Sequence, residues 1–249
     1  IDLGKGSLTG DGTAWAFNLG ALISPTKELK VGLSYRSPFT LKINKGDLFL
    51  TELDNTQGVP SLGTATIKTA LGGVDIYHTK GTTYINMPAT AAVGVSYTLD
   101  KLTLEADADF TFWSSFKRFD IDFDDIRVSA TRSTKNYRDT VAFYLGGEYR
   151  VTKPLALRLG FRYDPTPVNA LYMSPDLPDA TKLYYSAGMG YKYSSWTFDL
   201  AYMYMSKRDR TVNNLVASTA VPGLVDGTGF NGKWSGFAHL VAVDVGYKF

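Results

Sequence analysis

Residues 237–249 read FAHLVAVDVGYKF. Taken alternately, Phe237, His239, Val241, Val243, Val245, Tyr247 and Phe249 fall on one side; Ala238, Leu240, Ala242, Asp244, Gly246 and Lys248 fall on the other. Successive side chains of a strand face opposite ways. One face is therefore apolar with rings near both ends, and the other turns small or charged toward the C-terminus. A strand of a water-soluble sandwich can alternate in the same way, so this stretch alone leaves two readings open. In a transmembrane barrel the apolar face meets lipid, rings mark the two interfaces and the polar face lines the lumen.

Composition narrows the choice. The 249 residues are 44% hydrophobic, with a mean hydropathy near zero. No run approaches the roughly 18 consecutive apolar residues of a spanning helix, a test that barrel strands escape because each is only half apolar. The 16 Tyr, 14 Phe and 24 Gly suit a β-rich chain with ring girdles and tight turns. A net charge of +2 without a basic run gives no footing for nucleic acid. Zero Cys excludes disulfides and thiolate metal sites. No signal peptide begins at Ile1, so the chain reads as mature or as lacking its start.

Working back from the terminal strand, eight more share its alternation. Residues 1–12 are Gly-rich without a period and read as a loop; strands follow at about 14–23, 29–44 and 85–99, the last interrupted by Pro88. Residues 45–80 read as a long irregular connection. The strand at 102–113 sets Leu102, Leu104, Ala106, Ala108, Phe110 and Phe112 against Thr103, Glu105, Asp107, Asp109 and Thr111. Its row of three carboxylates demands water or cations opposite; Arg150, Arg158 and Arg162 on later strands are the expected partners. After a loop at about 118–135 come strands near 141–150 and 155–164, a loop at 165–181, strands near 183–193 and 196–204, and a last loop at 206–232.

Two regularities decide between the readings. Connections alternate short and long, as in outer-membrane barrels with short periplasmic turns and long extracellular loops. Every strand also keeps its charges off its uninterrupted apolar face, with rings at strand ends, which is inside-out for a sandwich. The expected fold is an all-β, transmembrane antiparallel β-barrel in the bacterial outer membrane. Nine strands is an odd number where single-chain bacterial barrels close with even ones. Residues 1–249 are therefore expected to be the C-terminal part of one larger barrel domain.

Several ordered segments resemble the FadL family of outer-membrane transporters for long-chain fatty acids and other hydrophobic compounds. They are Gly10-Asp11-Gly12 with Trp15-Ala16-Phe17-Asn18-Leu19-Gly20, Gly32-Leu33-Ser34-Tyr35-Arg36-Ser37, and Leu104–Phe116 with its Trp113-Ser114-Ser115-Phe116. Tyr137-Arg138-Asp139, Tyr163-Asp164-Pro165-Thr166-Pro167-Val168 and Leu177-Pro178-Asp179 complete the series. The resemblance implies a 14-stranded barrel with an N-terminal hatch, of which this chain supplies the last nine strands. It also implies a route: adsorption of ligand to an apolar groove between extracellular loops, transfer to an internal pocket, and lateral release into the membrane. Residues 45–80 would form one side of the groove, with Phe49, Leu50 and Leu53 as adsorption residues. Family pockets hold the head group with basic side chains; Ser133 stands at one such position, flanked by Arg132 and Lys135.

Each of these readings has a plainer competitor. Phe49, Leu50 and Leu53 equally suit a loop packing on its neighbours, and Trp113 and Phe116 equally suit a ring girdle or a pocket lining. Asp120, Asp122, Asp124 and Asp125 read as a solvated loop before they read as a divalent-cation site. The only histidines are His78 and His239, and neither stands with Ser and Asp in a nucleophilic arrangement. No catalysis, cofactor or metal is expected. The expected partners are a hydrophobic small molecule, outer-membrane lipid and lipopolysaccharide, with the protein a monomer. A diffusion porin for polar solutes and a structural or adhesive barrel are the alternatives.

Overall fold

Period-two alternation, β-branched and aromatic residues, and turn residues between them make strands the local outcome along almost the whole chain. The computed structural model describes residues 4–52, 76–126, 128, 130–174, 177–214 and 231–249. Among these residues fourteen strands run in order: β1 (Gly4–Thr9), β2 (Asn18–Ile23), β3 (Leu29–Arg36), β4 (Phe39–Glu52), β5 (Ile76–Met87), β6 (Thr90–Leu99), β7 (Leu102–Thr111), β8 (Arg118–Phe123), β9 (Thr131–Thr134), β10 (Thr140–Arg150), β11 (Leu155–Asp164), β12 (Lys182–Tyr193), β13 (Trp196–Val212) and β14 (Gly232–Tyr247). Among the described residues two short 3-10 turns lie at Trp113–Ser115 and Ala170–Tyr172.

The strands form two antiparallel sheets in two compact units. The nine-stranded sheet, ordered β14-β13-β12-β11-β10-β7-β6-β3-β2, holds the nine strands expected from sequence. Its hairpin turns are tight. Leu99 pairs with Leu102 and Tyr193 with Trp196, so two residues make each turn. The first residue of each, Asp100 (φ +47°) or Ser194 (φ +51°), is left-handed, as the primed turns that match strand twist require. On one face of this sheet large apolar side chains stand exposed, Leu159, Val241 and Val243 at 70–72% among them. Contiguous apolar exposure on this scale is foreign to a water-soluble surface and normal against lipid. Rings gather at two levels of β13–β14 and bound the aliphatic stretch between them: Trp196, Tyr247 and Phe249 at the hairpin end, Tyr204, Phe237 and His239 further along.

The opposite face carries the charges. Arg158 on β11 donates to Glu148 on β10 at 2.8 Å and, across β12, to Asp199 on β13 at 2.6 Å. Gly190 makes that reach possible, because a Cβ there would lie 2.6 Å from the Asp199 carboxylate and 3.1 Å from the guanidinium. Arg162 pairs with Asp164 at 3.1 Å and lies over the Tyr144 and Tyr184 rings at 4.8 and 5.1 Å. The arginines are thus taken by Glu148, Asp199 and Asp164. Among the described residues none of their ion pairs reaches Glu105, Asp107 or Asp109, contrary to the pairing expected from the β7 pattern.

The second, five-stranded sheet has the order β1-β4-β5-β8-β9 and corrects three local readings. Residues 4–9 are not loop but pair with β4 from Gly4↔Glu52 to Thr9↔Asp47. The supposed irregular stretch at 45–80 contains the β4–β5 ladder at both of its ends. Residues 118–134 hold the β8–β9 hairpin. These strands are short or broken by Gly and Lys, so their alternation is too brief to stand out by period. The chain leaves one sheet for the other at Ser37-Pro38 and again at Pro88-Ala89. A proline cannot donate to a ladder, so it suits the place where a strand changes partners. Gly10 and Gly12 lie against β4 at its bulge between Ile43 and Gly46. A Cβ on Gly10 would come within 2.5 Å of Ile43, and one on Gly12 would strike the Lys42 carbonyl.

Candidate functional site

The segments that join β7 to β10, β11 to β12 and β13 to β14 hold most of the buried side chains of the larger unit. The chain turns sharply at Trp113–Ser115, and Phe116 is 6% exposed. Backbone N–H groups of Lys135 and Asn136 then donate to the Lys117 carbonyl at 2.8 and 3.0 Å, and that of Tyr137 to Phe116 at 3.3 Å. This pairing sets three rings together. Trp113 lies edge-on to Phe116 at 6.3 Å and to Tyr137 at 5.8 Å, and Phe116 and Tyr137 are 5.2 Å apart.

Tyr137 also packs on a small core of Val168, Met173 and Val212, against which Trp234 lies. The proline-rich segment 165–181 supplies much of that core and is held by its carbonyls. Arg210 donates to Val168 at 2.7 Å and to Asp179 at 2.8 Å, Asn214 to Ala170 and Met173 at 2.8 and 2.9 Å, and Lys207 to Pro178 at 3.0 Å. Lys135 is 1% exposed, and its ammonium donates to Ser174 Oγ at 2.9 Å. The Trp234 indole N–H is buried without an acceptor. Rings, a buried cation and a spare donor are the parts that hold an apolar molecule with one polar end.

The remaining sequence candidates belong to the other compact unit. Arg132 stands exposed on β9 and pairs with Asp122, which holds its guanidinium still more firmly charged than usual. Phe49 is on β4, 40% exposed, with its ring stacked on His78 at 4.5 Å. Leu50 pairs in the backbone with Gly6 and Tyr77. Leu53 lies outside the described residues. Asp120 and Asp122 are engaged by Arg118 and Arg132, and no group of metal-ligating side chains forms among the described residues. Ser174, Asn214, Arg210 and Trp234 escaped the sequence reading. Each is an ordinary polar or ring residue in a loop or at a strand end, and only folding reveals its neighbours.

A lipid-facing antiparallel sheet with a charged inner face and ring-rich ends defines an outer-membrane β-barrel protein, of which this chain holds nine strands. The chain matches the family described as Outer membrane protein transport protein (OMPP1/FadL/TodX) over residues 4–249 and belongs to it. It is 25% identical over 255 residues to a putative outer membrane protein of Neisseria meningitidis serogroup B, covering 99% of this chain and 53% of the relative. The long-chain fatty acid transport protein of Escherichia coli O6:H1 is 26% identical over 194 residues, 75% of this chain and 41% of its own. The chain spans about half the length of the curated relatives it matches. A crystal structure of a Pseudomonas aeruginosa FadL homologue superposes with a TM-score of 0.69 at 24% identity, over 93% of this chain and 52% of the other. The Pseudomonas putida toluene transporter TodX gives 0.55 at 16%, over 95% and 49%. Both likenesses are likenesses of fold.

Proposed function

We propose that the protein imports hydrophobic small molecules passively across the outer membrane, with long-chain fatty acids or aromatic hydrocarbons as its ligands and no catalysis. The observation that carries this reading is the ring group Trp113, Phe116 and Tyr137, hydrogen-bonded through the backbone to the segment that buries Lys135. Membership of a family of outer-membrane transport proteins supports it. Ligand first adsorbs at Phe49, Leu50 and Leu53, then moves to a pocket where Trp113 and Phe116 hold its apolar body. Lys135 meets the head group, and Arg132, exposed beside Asp122, serves at the surface. Release is lateral, into the membrane. Residues 1–249 count as one part of a single 14-stranded barrel domain, acting as a monomer among outer-membrane lipid and lipopolysaccharide.

The test is extraction of the full-length protein, purified gently from its own membrane, with co-purifying small molecules identified by mass spectrometry against an unrelated barrel. Enrichment of a fatty acid or hydrocarbon is the expected result. An empty extract with large single-channel conductance would replace the importer with a diffusion porin.

A further inference from the structure

Asn214 stands just past the end of β13, 6% exposed, and its side chain reaches the segment between β11 and β12. Its amide nitrogen donates to the Ala170 carbonyl at 2.8 Å and to the Met173 carbonyl at 2.9 Å. Ala170 opens the 3-10 turn of that segment and Met173 closes it. The turn ends there, so its closing carbonyls need donors from outside it. A primary amide supplies two hydrogens from one nitrogen, and a carboxylate of the same shape would supply none.

We propose that Asn214 is the positioning residue of the head-group contact: it sets where Lys135 holds its ammonium, and so how well the pocket tells an anionic head group from a neutral one. The proposal rests on the importer reading, in which Lys135 meets the head group. The link from Asn214 to Lys135 is short. The Met173 carbonyl and the Ser174 Cα belong to one planar peptide unit, so an oxygen held by Asn214 also holds that Cα. The Met173 side chain, buried with Val168 and Val212, anchors the other end of the plane. A single torsion, χ1, then separates the Ser174 Cα from its Oγ, which accepts from Lys135 Nζ at 2.9 Å. If the carbonyl moves, the acceptor moves and the ammonium follows.

Asn214 is itself held. Its backbone N–H donates to Asn231 Oδ1 at 2.8 Å, and its carbonyl accepts from Asn231 Nδ2 at 3.2 Å. Asn231 directly precedes β14, so this side chain carries the pairing of the two strands past Val212↔Gly232. Arg210 grips the same segment at the Val168 and Asp179 carbonyls. Those bonds fall on either side of the Met173–Ser174 peptide and hold the segment without setting that plane.

The test uses the full-length protein in phosphatidylcholine nanodiscs and equilibrium dialysis of radiolabelled laurate at about pH 8, where it is charged, with dodecan-1-ol as its neutral twin and empty nanodiscs subtracted. Asn214→Ala is expected to weaken laurate binding about threefold to tenfold, a large part of one hydrogen bond to a charged group. Dodecanol binding stays unchanged and reports an intact fold. Asn214→Asp, which keeps the shape and loses both donors, should behave as N214A does. Added to Lys135→Met, N214A should bring no further loss of laurate, because residues that act through one contact are not additive. Equal weakening of both ligands by N214A would make Asn214 merely structural and overturn the proposal. So would losses from N214A and K135M that multiply, or laurate binding that N214A leaves intact. If N214A does not fold, Asn231→Ala, at an exposed site, frees the Asn214 backbone and should weaken laurate about twofold while sparing dodecanol; no change there also overturns the proposal. If neither ligand binds the native protein above empty nanodiscs, the importer reading itself falls. If both bind and K135M affects neither, the head-group role of Lys135 falls and the positioning role with it.

Discussion

Lys135 and Asp47 are charged residues in opposite settings, and their replacement has different consequences. Lys135 is buried with its ammonium on Ser174. Hydrogen bonds to a charged group are worth about 1.5–3 kcal/mol, so Lys135→Met is expected to weaken binding of a long-chain carboxylate about tenfold or more. Uptake of a neutral aromatic should be unchanged, and paired uptake assays with the two ligands check both halves. Asp47 is a matter of pH. Its carboxyl, ordinarily at 3.8, is held lower in the folded protein by Lys80 and His78. Such a group stabilises the fold above its unfolded pKa, and that contribution is lost as pH falls through the lowered folded value. Amide exchange at Phe49 and His78 should therefore accelerate only in acid, below the usual carboxylate range. Asp47→Asn should exchange at the faster rate already at neutral pH.

Glycines decide how closely elements approach. Gly190 leaves the space through which Arg158 crosses β12 to reach Asp199. Gly190→Leu fills that space, breaks a bridge spanning three strands and is expected to cost about 1–3 kcal/mol, in line with other overpacked sites. A lower temperature for loss of the heat-modifiable band in gel electrophoresis reads this out. Gly12→Ala is the corresponding change on the other sheet, where the Lys42 carbonyl, being backbone, cannot yield. It should loosen β1 from β4, seen as faster exchange along Ser7–Thr9, and leave β10–β14 protected. The Gly10-Asp11-Gly12 segment was visible in the sequence as part of a resemblance. Its physical reason, a close approach to a bulge, was not.

At the scale of the molecule the solvent is the organising fact. Val243 stands midway between the rings of Phe237 and Phe249, 72% exposed and flanked along its face by Val241 and Val245. An arginine on the lipid face at the bilayer midplane costs about 2–4 kcal/mol. Val243→Arg should lower the folded fraction in lipid vesicles by that amount, whereas Ala242→Arg on the inner face should cost much less. Equal penalties at the two positions would contradict the assigned faces. The nine spanning strands were legible because lipid imposes one rule along their whole length, apolar outward and polar inward, and the rule repeats every second residue. The β8–β9 hairpin and β1 were missed because strands of 4 to 6 residues hold too few alternations for a period to stand out.

What the sequence by itself determined is therefore the class of fold, the number of spanning strands, their faces and the family. Each of these is written in local periodicity or in ordered short motifs, and neither needs knowledge of who touches whom. Tertiary structure decided the rest. It separated Lys135 from Arg132, burying one at Ser174 and pairing the other with Asp122. It brought Tyr137 to Trp113 and Phe116 across more than twenty residues of chain, and it took Arg158 to Asp199 rather than to the β7 carboxylates. Side-chain partnerships between distant segments depend on strand register, on glycine clearances and on where loops fold back. No periodic signal along a single chain encodes those three things.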